Sequence, residues 1–155
     1  MKTQSPELRL ARLADAEQIA CMSRELIEVG LGWSWTAQRV TRAIQCPYTT
    51  VLTATAGLTV QGVAIMRFGQ DEAHLNLLAV APNDRRRGLG RHLMQWLEES
   101  CRVAGSFLVY LEVRATNHGA RCFYQRVGYR EIACVPRYYQ GVESAIRMAR
   151  DLTAE

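Results

Sequence analysis

The sequence predicts an α+β chain: a mixed central sheet of about seven strands, flanked by helices in an α/β three-layer arrangement. Three observations carry this. β-prone runs alternate with stretches of helical period, in the order strand, two helices, three strands, helix, strand, helix, two strands. The 155 residues, 48% hydrophobic and 22% charged, suit a single globular domain over 1–155 with a sizeable core. No linker, repeat or low-complexity segment divides the chain.

"LRLARL" (8–13) alternates and reads as the first strand. Asp15 then caps a helix, with Gln18 three residues later completing a capping box. Ile19, Met22 and Leu26 form its apolar stripe, and Gly30 and Gly32 end it. A second helix starts at about Thr36. "TTVLTATA" and "VQGVAIMRF" are two strands of a hairpin turning at Gly57, and "AHLNLLAVA" (73–81) is a third strand closed by Pro82. Leu89, Leu93, Trp96 and Leu97 recur at helical spacing, and that helix stops near Gly105. "FLVYLEV" (107–113) is strongly β-prone. Asn117 to Val127 is a short helix with Ala120, Phe123, Tyr124 and Val127 on one side and Gly128 past its end. "YREIACV" and "ESAIRMARDL" are two last strands around a Tyr138-Tyr139 loop.

The net charge of +4 favours an anionic partner without naming it, and Lys2 is the only lysine, so the positive charge is almost all arginine. No apolar stretch approaches the roughly 20 residues that span a bilayer, and the first ten residues lack an apolar signal region, so no membrane partner is expected. Five scattered cysteines (Cys21, Cys46, Cys101, Cys122, Cys134) form no C-x-x-C pair and read as buried free thiols in a reducing cytoplasm. His74, His92 and His118 share no ligand spacing with one another or with the cysteines, so no metal is expected.

The informative stretch is "NDRRRGLGRHL" (83–93), between a strand and a helix. Backbone N–H groups there point outward unpaired, and the helix dipole favours an anion. Gly88 and Gly90 keep Cβ atoms away, so a pyrophosphate can approach the chain. No G-K-[ST] follows, which excludes a Walker loop, and the third glycine of G-x-G-x-x-G is missing. Alone, the run is weak evidence, because a plain helix-start turn would also account for it.

Its neighbours decide. "LAVAPNDRRRGLGRHLM" resembles motif A of the GNAT N-acetyltransferases, a strand ending V-x-P followed by [QR]-x-x-G-x-[GA]; Arg85, Gly88 and Gly90 fill the motif positions. "LEVRATNHGARCFYQRVGYRE" (111–131) is similar to the family's second block. Within the family the chain resembles the RimI-type ribosomal-protein alanine N-acetyltransferases, which share L-E-V-R-A-[ST]-N, a tyrosine seven residues on, and R-x-Y-Y before a Glu-containing last strand. The segment after Tyr139 is shorter than theirs, and "GLGWSWT" replaces their F-P-W-S; both regions face the acceptor in the family.

The resemblance implies the GNAT fold, acetyl-CoA as cosubstrate and no metal. It also implies direct transfer of acetyl to a primary amine, on an α-amine of a protein or peptide N-terminus. Glu112, which alternation places on one face with Tyr110, is read either as a carboxylate paired with an arginine or as a general base made more basic by a partly dry setting. Tyr124 is either core or, as the resemblance implies, the acid that protonates the departing thiolate. Asn117 is a helix N-cap, with a pantetheine bond added by the family. Leu78, Ala79 and Val80 would bind through their backbone, one amide stabilising the developing oxyanion. Arg85, Gly88, Leu89 and Gly90 would surround the pyrophosphate, and Arg86, Arg87 and Arg91 either reach its phosphates or form a solvated basic face. Tyr138 and Tyr139 would flank acceptor entry.

Two rivals are a small-molecule (amino acid or polyamine) acetyltransferase and a non-catalytic acyl-CoA-binding module. A nucleic-acid partner is not expected, because interleaved aromatics and a broad basic stripe are lacking. The protein is expected to be a monomer or homodimer.

Overall fold

The computed structural model describes residues 6–85 and 88–153. Its seven strands are β1 (Glu7–Leu10), β2 (Thr49–Ala56), β3 (Thr59–Phe68), β4 (Glu72–Val80), β5 (Leu108–Arg114), β6 (Arg130–Tyr139) and β7 (Glu143–Asp151). Its α-helices are α1 (Ala16–Met22), continued by a π-helical turn over Ser23–Ile27, then α2 (Ala37–Gln45), α3 (Leu89–Ala104) and α4 (His118–Arg126). The strands form one sheet in the order β1-β2-β3-β4-β5-β7-β6. All neighbours are antiparallel except β4 and β5, whose parallel pairing requires a crossover, and α3 supplies it.

Alternation along β2 and β3 explains the three layers. Leu52, Ala54, Ala64 and Met66 point to the face covered by α3 and α4, where Leu93, Met94, Leu97 and Tyr124 pack. Val51, Val63 and Ile65 point to the other face, against Ile19 of α1 and Val40 of α2. Both faces are covered, so the middle of these strands is apolar without a break.

Several local expectations needed correction. The first strand ends at Leu10, because the Arg12 N–H turns back to the Asp15 carboxylate at 2.7 Å. Asp15 therefore does not cap α1 with its side chain; it also holds the Arg9 guanidinium at 2.7 Å. Gln18 completes no capping box, and its amide instead binds the Leu58 carbonyl and the Val60 N–H across the β2–β3 hairpin. Trp96 lies outside the buried stripe of α3, 40% exposed, and Met94 and Cys101 fill the core there. Only Cys101 is buried; Cys21, Cys122 and Cys134 are exposed, and all five thiols are free. Tyr138 and Tyr139 end strand β6 after an irregular register rather than sitting in a loop, and the turn follows them.

Thr36 does cap α2, accepting from the Arg39 N–H, and Asn117 caps α4, accepting from the Ala120 N–H at 3.1 Å. One polar cluster is buried in the core: Glu98 of α3 accepts from the Tyr129 hydroxyl at 2.9 Å and from Arg150 of β7 at 3.0 Å. Among the described residues, no helix is long and apolar enough to cross a membrane.

Candidate active site

The site begins where the sheet comes apart. Strands β4 and β5 pair only from Glu72↔Leu108 to Leu75↔Leu111. Beyond that, β4 continues to Val80 with its other edge bonded to β3, and β5 continues to Arg114 with its other edge bonded to β7. Their facing edges therefore carry backbone N–H and C=O groups that no strand satisfies. The gap is a cleft of about 360 Å³, lined by Leu75–Leu78 of β4, Leu111–Arg114 of β5, Asn117 and Ala120 at the start of α4, and Tyr124 further along it. Asn117 and Tyr124 thus face the same space as Glu112, as expected of them. Leu78 lines the cleft; Ala79 is buried and Val80 lies at the far end of the same strand.

Glu112 sits at the vertex of the cleft with its side chain 4% exposed. Three donors hold it. His74 Nε2 and the Tyr138 hydroxyl both reach Oε1 at 2.8 Å, and Arg147 Nε reaches Oε2 at 3.2 Å. A more basic carboxylate was expected here, and the structure reverses that expectation. Burial by itself pushes the carboxyl up, but the bonds from His74 and Tyr138, the charge of His74 and the bond from Arg147 outweigh it, holding the carboxyl at about 2. His74 and Arg147 are functional neighbours that sequence reasoning missed. The histidine was weighed only as a metal ligand, although its place in an alternating strand puts it on the face that β5 shares.

Tyr124 is buried and makes edge-to-face contacts with Phe123 and Tyr129, at ring-centroid distances of 5.2 and 5.9 Å. Burial first, and then Tyr139, push its phenol well above the ordinary range, so it stays protonated at neutral pH. Tyr124 lines the cleft, and no hydrogen bond from its hydroxyl is seen among the described residues. Tyr129 is in turn fixed by Glu98, so the core cluster below the site supports the ring from behind.

The turn before α3 fits an anion through its backbone. Gly88 has φ +75° and stands at the N-cap, and the next N–H groups, of Leu89, Gly90 and Arg91, precede the first intrahelical bond, from His92 N–H to the Gly88 carbonyl. The Leu89 side chain is buried in the core, so only its backbone is available. Gly90 has a reason of its own to be bare: a Cβ there would lie 3.1 Å from Cζ of Phe123 on α4. Its smallness therefore serves helix packing as well as any ligand. Arg85 folds back, its Nε donating to the Val80 carbonyl at 3.2 Å, while the Arg91 residue is exposed. Arg86 and Arg87 lie outside the described residues.

The other end of the cleft is roofed by two segments distant in sequence. Glu28 is buried and organises "GLGWSWT": it accepts from the Ser34 N–H at 2.7 Å, the Ser34 hydroxyl, the Ser23 hydroxyl at 2.8 Å and the Trp35 N–H at 3.2 Å. Burial raises the Glu28 carboxyl, but these bonds, led by those of Ser34, more than offset it and lower it overall. The Gln140 side chain clasps Gly32 through both its N–H, at 2.9 Å, and its carbonyl, at 3.1 Å. Arg114 bonds Glu143 through two nitrogens, at 2.6 and 2.8 Å, and donates to the Val29 carbonyl at 2.5 Å. The short segment after Tyr139 thus closes over the cleft. Tyr138 and Tyr139 stand edge-to-face beneath it, and burial, then the bond to Glu112, pushes the Tyr138 phenol up to about 12.

Comparison with known proteins was made against this geometry. Residues 21–152 match the acetyltransferase (GNAT) domain. The [ribosomal protein bS18]-alanine N-acetyltransferase of Salmonella typhimurium is 40% identical over 101 residues, which cover 63% of this chain and 68% of that protein. The N-alpha-acetyltransferase RimI of Mycobacterium tuberculosis is 32% identical over 89% of this chain and 87% of its own length. Among solved structures, the ribosomal-protein-S18-alanine N-acetyltransferase of Escherichia coli has a TM-score of 0.81 at 26% identity, over 95% of this chain and 94% of that one.

Proposed function

Because the chain belongs to the GNAT acetyltransferase family, and is an acetyl-CoA-dependent N-acetyltransferase, we propose that its acceptor is the α-amine of a protein or peptide N-terminus. The observation that carries this is the roofed cleft. A narrow space between splayed strands has Glu112 at its vertex and Tyr124 on its wall, and it is closed on the acceptor side by the Gln140–Gly32 and Arg114–Glu143 clamps. A chain end presents its terminal amine to such a space without the rest of the chain having to enter it. The two relatives named for N-terminal acetylation support the same reading.

The residues present fit the cofactor: an unpaired strand edge at Leu77–Val80, free N–H groups at the first turn of α3, and Asn117 and Tyr124 facing inward. Acetyl-CoA supplies the thioester acetyl group that the amine takes. Backbone N–H groups of β4 facing the cleft would hold the carbonyl oxygen, and Tyr124, kept protonated by burial, would be the proton donor for the leaving sulfur. Glu112 receives the amine proton, directly or through a water.

Three donors hold that carboxyl low, which makes it a weak base as it stands; of the three, Tyr138 stands 42% exposed at the irregular end of β6. An α-amine also asks little of its base: with a pKa of about 7.7–8.0, roughly a quarter is neutral near pH 7.4, against about 0.1% for a lysine side chain. The cytoplasm is the proposed compartment, since the free thiols include three exposed ones that an oxidising setting would cross-link.

The test uses matched peptides with free and blocked N-termini, a lysine-containing peptide and small amines, with thiol release followed and the acetyl located by mass spectrometry. Acetyl on the α-nitrogen of free-N-terminus peptides is expected. Acetylation of the small amines alone would overturn the assignment.

A further inference from the structure

Glu112 is held from three strands, and the three donors differ in kind. Arg147 is 38% exposed at its side chain and 3.2 Å away; Tyr138 stands at the irregular end of an edge strand. His74 belongs to β4, the strand across the cleft vertex. Its cross-strand partner in the parallel register is Tyr110, and the two rings stack with centroids 4.5 Å apart and planes at 15°. The imidazole is thus fixed in plane by Tyr110 and aimed by the register at the next residue on the same face, Glu112, at 2.8 Å. A carboxylate can only accept, so the proton between them belongs to Nε2. Glu112 lines the cleft and His74 stands behind it, reaching the cleft through that carboxylate.

We propose that His74 is a positioning residue of the transfer reaction: stacked on Tyr110, it donates Nε2–H to Oε1 of Glu112 and so fixes the carboxylate at the vertex where the amine proton must be received. The proposal rests on the reading of Glu112 as proton acceptor. His74 is suited to the task in a way the other two donors are not. Its bond crosses from one splayed strand to the other, so it sets the carboxylate relative to the strand edge that holds the acetyl carbonyl.

Two substitutions separate the ring from the donor. His74→Phe keeps a ring to stack on Tyr110 and loses the N–H; His74→Gln loses the stack and keeps an N–H within reach. Steady-state thiol release is measured for both, in wild-type and Glu112→Gln backgrounds, with the peptide of the panel above that turns over fastest. The expected result is a fall in kcat of about tenfold for His74→Phe, the loss of one hydrogen bond to a charged group. The KM for acetyl-CoA should stay within about twofold, and His74→Gln should restore kcat to within about threefold of wild type. On Glu112→Gln, His74→Phe should add nothing further, because it acts through that carboxylate. His74→Phe turning over as fast as wild type, or His74→Gln slower than His74→Phe, overturns the proposal and leaves Glu112 standing. Glu112→Gln with wild-type kcat overturns the reading of Glu112, and this proposal with it. Far-UV circular dichroism of each variant separates misfolding from slow turnover, and His74→Gln decides the matter if His74→Phe does not fold.

Discussion

Glu112→Gln should unfold more easily than the wild-type protein at neutral pH, a result that a residue placed for chemistry would not by itself suggest. The three donors that reach its carboxylate lower the carboxyl from about 4.5 to about 2. A group depressed in this way stabilises the fold fully above its unfolded value, and the contribution is lost as pH falls from about 4.5 towards about 2. At about 1.4 kcal/mol per pH unit the full effect is about 3 kcal/mol; solvent entering the cleft screens the charges, so about 2 kcal/mol is expected. Glutamine has the shape of the protonated acid but lacks the charge, and its amide nitrogen would face His74 or Arg147. Urea unfolding at pH 7 should therefore place Glu112→Gln about 2 kcal/mol below wild type, a melting-temperature drop of roughly 4–8 °C. At pH 3 the gap should shrink to less than half, since the carboxyl of the unfolded wild-type chain is then mostly protonated, so that folding must ionise it, while the variant is unchanged. Two variants of equal stability at pH 7, or a gap that holds constant into acid, would mean that the donors do not grip Glu112 as the structure has them.

Glu112→Gln should also reduce kcat by about 10²-fold or more, and Tyr124→Phe should slow thiol release by a similar factor while calorimetric affinity for acetyl-CoA stays within a few-fold. Gly90→Val should lose about 1–3 kcal/mol in urea melts, because its Cβ meets Phe123 at 3.1 Å, and Phe123→Leu in the same chain should recover most of that loss. Glu98→Ala strands the Tyr129 hydroxyl and the partly exposed Arg150 in the core, and should cost about 3 kcal/mol, whereas Glu98→Gln retains an acceptor and should cost about half as much. Gln140→Ala should raise the KM for a peptide acceptor several-fold and leave that for acetyl-CoA unchanged, since it unfastens only the roof.

The order of all seven strands and four helices was legible in the sequence, because period 2 and period 3.6 are properties of local runs. Most misreadings came where a long-range partner overrode a local pattern. Asp15 and Gln18 have capping-box spacing, but Arg9 and the β2–β3 hairpin claim their side chains. Trp96 has the spacing of the core stripe and lies just off its buried side. In the candidate site, the second block of the motif located Glu112, Asn117 and Tyr124, and the structure brings them to one cleft. The direction in which the Glu112 carboxyl moves was not legible. It depends on His74, 38 residues earlier, and Arg147, 35 residues later, which only the sheet register brings together. Glu28 carried no signal at all; four donors from Ser23, Ser34 and Trp35 meet it by way of a loop with no periodic pattern.

The seam between β4 and β5 is four residue pairs long, whereas β5 and β7 share seven. Mechanically, the sheet is two panels, β1–β4 and β5–β7–β6, sewn together at one end only. A force that spreads the panels meets no ladder bonds until it reaches Leu75 and Leu111. At that point His74, stacked on Tyr110 within the seam, bonds across to Glu112, the first residue of β5 beyond it. Spreading the panels would load that bond together with the Leu75–Leu111 pair, so the hold on the Glu112 carboxylate is tied to how far the cleft stands open.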